Sequence, residues 1–194
     1  MTPYVDDHAV ASTIFGATMG VWAIVELRQA IRRRPEATRA DRHSLDVVRV
    51  TLVAGWLIAA ASRSLISDAT IRGGVVTFAI GLVIAWTGIV LRTWATASLG
   101  RLFTFAVMTS PDQRVVDSGP YRFLRHPGYS GLILLLVGAS VMFGNWVGVA
   151  AIAVIPTIGL LLRIRVEEQA LSKSLGSAYR DFADGRKRLI PYVW

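Results

Sequence analysis

Residues 125–168 read RHPGYSGLILLLVGASVMFGNWVGVAAIAVIPTIGLLLRIRVEE, two apolar runs separated by a Gly144-Asn145 turn and bracketed by polar motifs. Arg125-His126-Pro127-Gly128-Tyr129 precedes the first run, and Arg163-Ile164-Arg165-Val166-Glu167-Glu168 follows the second. Each run has roughly 17 to 20 residues, and at about 1.5 Å rise per residue each forms a helix close to the thickness of a bilayer's hydrocarbon core. The chain is therefore expected to cross a membrane and return. The hairpin delivers its two ends to one membrane face, where a cationic, imidazole-bearing loop meets two carboxylates. Those are the ingredients of a polar ligand site at a bilayer surface.

Working outward, the rest of the chain continues the pattern. With 194 residues, 53% of them hydrophobic, and a mean hydropathy of +0.49, it is too apolar for an ordinary soluble domain and reads as one membrane domain. Further apolar runs cover Ala9 to Val25, ended by Glu26, then Val50 to Ala61 and Val75 to Leu91. The expectation is an all-α integral membrane protein with five transmembrane helices near 9–27, 46–64, 75–95, 129–144 and 146–164, its cofactor and catalytic region lying within 101–194. The second span is the weakest, because Asp46, Arg49 and Arg63 crowd it and its ends need snorkelling side chains or protein partners.

Lys and Arg set the orientation, since basic residues beside short loops stay cytoplasmic. The first loop carries Arg28, Arg32, Arg33, Arg34, Arg39 and Arg42, the third carries Arg92, Arg101, Arg114, Arg122 and Arg125, and the tail adds seven more from Arg163 to Arg188. The opposite side has Arg63 and Arg72. The N-terminus is therefore expected outside and the C-terminus in the cytoplasm, and the first run, without a basic leader or small-residue cleavage site, reads as a retained span. The net charge of +8 lies beside spans, where topology and attraction to anionic lipids account for it, so nucleic acid is not an expected partner. Zero cysteines exclude disulfides and a thiol nucleophile. His8 and His43 lack partners at ligand spacing, so no metal site is expected. Gly16 and Gly20 form a GxxxG face suited to helix packing within or between chains.

Two segments carry chemistry. In Gln113–Tyr129 (QRVVDSGPYRFLRHPGY), Ser118-Gly119-Pro120 and Pro127-Gly128 are turns, and the residue before a proline avoids the helical region, so His126 is expected to be extended at the entrance to the fourth span. Tyr121, Phe123 and Tyr129 offer faces for a planar base. Alternatively, Arg122, Arg125 and His126 merely anchor a helix end at the headgroups. In the second segment Arg163 and Glu167 lie at i, i+4 on one helical face, with Glu168 turned about 100° away. Taken alone these are surface charges, but adjacent carboxylates at the end of a span, facing a cationic loop, are expensive to hold without a partner. Pro156, in mid-span, is expected to kink the fifth helix and open space beside the fourth. The tail from Tyr179 to Tyr192 has the pattern of an amphipathic segment that lies on the cytoplasmic face and closes the site.

These residues resemble the isoprenylcysteine carboxyl methyltransferases, within the wider group of integral membrane methyltransferases. The likeness covers about the C-terminal half: VVDSGPYRFLRHPGYSG, the hairpin, RIRVEEQAL and GSAYRDF…IP. Length and span count suit a short prokaryotic form. The resemblance implies S-adenosylmethionine as cofactor, bound by Gln113, Arg114, Val115, Val116, Tyr121, His126, Pro127, Gly128, Tyr129 and Glu167, with Arg163 assigned to the substrate. Gln113 replaces a frequent histidine and Phe182 a frequent tyrosine.

The acceptor is read from acid–base chemistry. A C-terminal carboxylate is already ionised at neutral pH and needs a cation such as Arg163 to orient it. An amine must first lose a proton, for which Glu168 or His126 is the candidate base. The abundance of arginine favours the carboxylate, carried on a prenylated cysteine or other lipid substrate among membrane lipids. The alternatives are a phospholipid amine or thiol acceptor on the same scaffold, a sterol-reductase relative, which requires more spans, or a non-catalytic helix bundle or transporter with Glu26, Asp46 and Arg49 as pathway residues.

Overall fold

The computed structural model describes residues 3–30, 38–39, 43–103, 108–109 and 114–194. Its helices are α1 (Tyr4–Asp7), α2 (Ala9–Ala30), α3 (Ser44–Leu65), α4 (Gly74–Leu99), α5 (Pro127–Phe143), α6 (Trp146–Leu175) and α7 (Ser177–Ala183), with short 3-10 turns between them. A two-residue antiparallel ladder pairs Thr38 with Thr109 and Arg39 with Met108. Four helices, α2, α3, α4 and α6, are long and apolar enough to cross a membrane, and α5 is a shorter apolar helix of 17 residues. This is a multi-pass, all-helical membrane protein. At about 1.5 Å per residue α5 is about 25 Å long, close to the hydrocarbon thickness.

The helices run past the expected ends. α6 has 30 residues, about 45 Å, so its last third extends beyond what a bilayer core can cover. That third carries Glu167, Glu168, Leu171 and Leu175.

The hairpin turn forms as its residues dictate. Gly144 closes α5 in the left-handed region at φ 83°, open to a glycine at little cost. Asn145 then caps α6, its side-chain oxygen accepting from the Val147 and Gly148 amides at 2.9 and 3.1 Å. The Asn145 side-chain amide donates to the Ser62 and Ile66 carbonyls, which ties the C-terminal end of α3 to the same turn.

The hairpin's arms each find a different partner. α5 packs mainly along α4, antiparallel, and α6 mainly along α3. The α4–α5 contact is backbone on backbone: a Cβ on Gly81 would lie 2.7 Å from the Gly138 carbonyl oxygen, and one on Gly131 2.6 Å from the Arg92 nitrogen. Between α3 and α6, Gly55 makes room for the Pro156 ring, 3.3 Å from where a Cβ would stand. Pro156 thus faces α3, within a helix that continues on both sides of it. Gly16 and Gly20 have nothing within 4 Å of their Cβ positions. α2 meets the bundle through Phe15, whose ring stacks on that of Phe143 with centroids 5.8 Å apart, and through polar contacts at its C-terminal end.

Candidate active site

The site is assembled where α4, α5 and α6 end on the same side. His126 is non-helical (φ −128°, ψ 56°) and Pro127 occupies the first helical position, where its missing N–H is no loss. The amides of Arg125 and His126 are consequently free of the helix and donate to the carbonyls of Lys187 (2.8 Å) and Arg188 (3.0 Å). Leu124 pairs with Lys187 as a parallel bridge, and the Ser130 hydroxyl donates to the Leu189 carbonyl at 2.6 Å. The tail is thereby stitched to the entrance of α5.

Tyr129 is the polar hub. Arg163 Nε donates to its hydroxyl at 2.7 Å, and that hydroxyl donates to Glu167 Oε2 at 2.7 Å. Arg163 is 4% exposed and its Nη1 donates to the Ser44 hydroxyl at the start of α3, 3.0 Å away. The i, i+4 spacing places Arg163 and Glu167 on one face as expected, but they meet through tyrosine in the interior and not as a surface pair. Glu168, one residue on, points elsewhere: Arg188 donates to it from Nε and Nη2 (3.0 and 2.9 Å), Arg125 from Nη1 (3.2 Å), and His126 Nε2 is 3.3 Å away. It clamps the RHP segment to the tail. Its hydrogen bonds hold the Arg188 guanidinium firmly in the charged form.

A cavity opens beside the hub, with about 990 Å³ free of protein atoms when its solvent-filled mouth is included. Among the nominated residues, Arg114, Val115, Val116, Tyr121, His126, Gly128, Tyr129, Arg163 and Glu167 line it. Pro127 and Glu168 stand behind the wall, and Gln113 lies outside the described residues. One end of the cavity is charged. The other is apolar and aromatic, where Tyr121, Tyr179 and Phe182 cluster with Ala95, Leu99, Val115, Val116, Leu171 and Leu175. Burial pushes the Tyr121 and Tyr179 hydroxyls above the usual phenol range, and the nearby glutamates add to the effect, so both rings remain neutral.

The sequence places Arg125 in the cationic loop that meets the carboxylates, and Tyr179 and Phe182 in the tail that closes the site, without naming them as residues of the cavity wall. Leu171 and Leu175 follow Glu167 at intervals of four on α6, a stripe that points to the cavity once the helix is known to extend past the span. Arg92 is the clearest departure. It was counted among the cations of the third loop, yet it lies within α4, 6% exposed. It can be buried because Glu26 of α2 pairs with it in a fork, through Nε and, at 2.9 Å, through Nη2. Its Nη1 donates to the Gly128 carbonyl at 3.0 Å. Glu26 also accepts from the Trp22 indole (3.2 Å), and Gln29 donates to Thr96 (3.1 Å). Among the described residues no group of three His, Cys, Asp or Glu side chains is arranged to hold a metal.

Known proteins share both the sequence and the architecture. The profile of the isoprenylcysteine carboxyl methyltransferase family matches residues 79–173. A probable protein-S-isoprenylcysteine O-methyltransferase of Oryza sativa subsp. indica is 31% identical over 116 residues, 59% of this chain and 61% of that protein. Protein-S-isoprenylcysteine O-methyltransferase A of Arabidopsis thaliana is 32% identical over 115 residues, 58% of each. The chain thus spans about three-fifths of the length of these relatives. The solved structure of a eukaryotic intramembrane Ras methyltransferase, the isoprenylcysteine carboxyl methyltransferase without a monobody, superposes with a TM-score of 0.70 at 24% identity over 94% of this chain and 68% of that one. Residues 79–173 are thus similar in sequence to the isoprenylcysteine carboxyl methyltransferase family, and nearly the whole chain shares the fold of the solved methyltransferase.

Proposed function

We propose that this protein is an S-adenosylmethionine-dependent methyltransferase that esterifies the C-terminal carboxylate of an isoprenylcysteine-type, lipid-modified substrate at the cytoplasmic membrane interface. The observation that carries the reading is the Arg163–Tyr129–Glu167 array at one end of a cavity whose other end is apolar and aromatic. The relatives' names supply the substrate class.

The residues fit the cofactor. S-adenosylmethionine has a flat purine, ribose hydroxyls, a sulfonium, an ammonium and a carboxylate. The cavity offers an aromatic lobe, a carboxylate on Glu167 for cationic or hydroxyl groups, and the cations Arg125 and Arg114 for the carboxylate. When bound, the cofactor supplies an electrophilic methyl group on sulfur. The chain's own residues then have three tasks. Arg163, fixed by Tyr129 and Ser44, orients a carboxylate whose lone pair is already available, so positioning replaces base catalysis. Glu167, hydrogen-bonded by Tyr129, keeps its second oxygen for the donor. Glu168 is taken up by two arginines and lies outside the cavity wall, which disfavours it as the base an amine acceptor requires.

Five spans, with α5 as the fourth to cross, bring the open ends of the hairpin to the face bearing most of the basic residues, and that face is read as cytoplasmic. The prenyl chain stays in lipid between helices while its carboxylate meets the water-soluble donor. Purified protein given radiolabelled S-adenosylmethionine and S-farnesylcysteine is expected to form a methyl ester, from which mild base releases volatile labelled methanol. A base-stable product, formed preferentially on phospholipid, overturns the carboxyl assignment. Absence of both transfer and donor binding overturns the enzyme.

A further inference from the structure

Tyr179 brings to the aromatic lobe a polar atom that the packing leaves unaccounted for, and Arg186 Nε, whose guanidinium carbon lies 4.6 Å from the Phe182 ring centroid, is likewise buried without a partner among the described residues. Tyr179 is 5% exposed, lines the cavity, and its hydroxyl is buried without a hydrogen-bond partner among the described residues. An unsatisfied buried hydroxyl is costly, and phenylalanine in this position would pack equally well. The surroundings show what kind of group the hydroxyl would meet. Phe182 lies with its ring centroid 5.9 Å from that of Tyr179, and Tyr121, Leu171, Leu175 and Val115 complete an apolar slot. An aliphatic chain has no use for a donor there. A flat heteroaromatic ring with an in-plane acceptor does, and a neutral phenol, held protonated by burial and by the field of both glutamates, can only be the donor to a ring nitrogen.

Building on the methyltransferase reading, we infer that this slot is the purine subsite and that the Tyr179 hydroxyl donates a hydrogen bond to a ring nitrogen of the cofactor's adenine. Tyr179 thus selects the cofactor's base, while the Arg163 end handles the acceptor. The lining of the cavity suits both parts of the ligand: its apolar, aromatic residues match the base and its charged residues the amino-acid portion.

The experiment is calorimetric binding of S-adenosylhomocysteine and its 1-deaza, 3-deaza and 7-deaza analogues to the full chain in detergent, wild type and Tyr179→Phe, with thermal unfolding of both proteins. Tyr179→Phe is expected to bind S-adenosylhomocysteine about tenfold more weakly, the value of one neutral hydrogen bond, while its nucleotide-free midpoint is unchanged or raised. One deaza analogue is expected to bind wild type as weakly as it binds the variant, marking the nitrogen concerned. Equal affinity of wild type and variant for S-adenosylhomocysteine overturns the inference, as does a tenfold loss in the variant that persists for all three analogues, which would move the contact to ribose or amino acid. A lowered midpoint of the variant together with unchanged affinity assigns the hydroxyl to structure. If wild type itself binds none of these nucleosides, the methyltransferase reading has failed and the purine subsite falls with it.

Discussion

Tyr129 has two neighbours of opposite charge and one hydroxyl to share between them, which makes it the best single place to separate the roles of donor and acceptor. Tyr129→Phe keeps the ring and deletes both 2.7 Å contacts, so it is expected to weaken S-adenosylmethionine binding through Glu167 and slow turnover through Arg163 together. Glu167→Gln is expected to lower donor affinity by about tenfold or more, because a charge-assisted contact becomes a neutral one, with the folded protein intact. An unchanged dissociation constant by titration calorimetry removes Glu167 from the donor site. Arg163→Lys keeps the charge but loses the fork to Tyr129 and Ser44. It is expected to cut turnover on S-farnesylcysteine by about a hundredfold with little change in donor affinity, the pattern of a group that orients the acceptor. Equal losses in both measurements would make Arg163 a residue of the cofactor pocket.

Helix packing explains which parts of the site were legible in sequence. The two apolar runs, the Gly144-Asn145 turn and the i, i+4 spacing of Arg163 and Glu167 are local properties, and they translate into the observed helices, though not into the full length of α6, and into the observed cap and shared face. Arg92 and Glu26 are not local. They stand 66 residues apart, and each alone reads as a polar residue at the end of a span; only the approach of α2 to α4 makes them a buried pair. The glycines divide in the same way. Gly16 and Gly20 fit a familiar spacing yet have nothing within 4 Å of their Cβ positions, whereas Gly81 and Gly88 on α4 and Gly131 and Gly138 on α5, seven apart in each helix, carry the backbone-to-backbone contact of those two helices. Gly138→Ala is expected to destabilise the protein by about 1–3 kcal/mol, since its Cβ would meet the backbone of α4 and force the helices apart. Gly16→Ala is expected to change stability little. Thermal unfolding in one detergent checks both, and equal effects would refute the packing argument. Glu26→Gln leaves Arg92 buried without its counter-charge and is expected to cost about 3–5 kcal/mol. The double variant Glu26→Gln, Arg92→Met is expected to recover much of that stability but not donor affinity, because the hold on the Gly128 carbonyl is gone.

At the scale of the whole molecule, the reading depends on which end of the bundle faces the cytoplasm. The open end of the hairpin holds the Glu168 clamp, the tail and the cavity. The opposite end holds the Gly144-Asn145 turn, whose carbonyl at Gly144 accepts from the Ile71 amide and whose Asn145 bridges to Thr70, together with the Arg63–Asp6 ion pair. Gly144 is a poor place for a reporter, since its positive φ and the proximity of Pro3, 2.8 Å from a Cβ, would strain any side chain. Ser67, exposed in the turn beside it, and Ser174, exposed near the end of α6, are better ones. With no native cysteine in the chain, Ser67→Cys and Ser174→Cys each provide one thiol at a known end. In right-side-out vesicles a membrane-impermeant maleimide is expected to label Ser67→Cys, and to label Ser174→Cys only after the membrane is opened. Water-soluble S-adenosylmethionine is made where metabolism is, so the cavity's mouth must face that side for the proposed reaction to run. The reverse labelling pattern would turn the cavity outward and sink the cytoplasmic assignment, and labelling of both thiols from one side would break the hairpin itself.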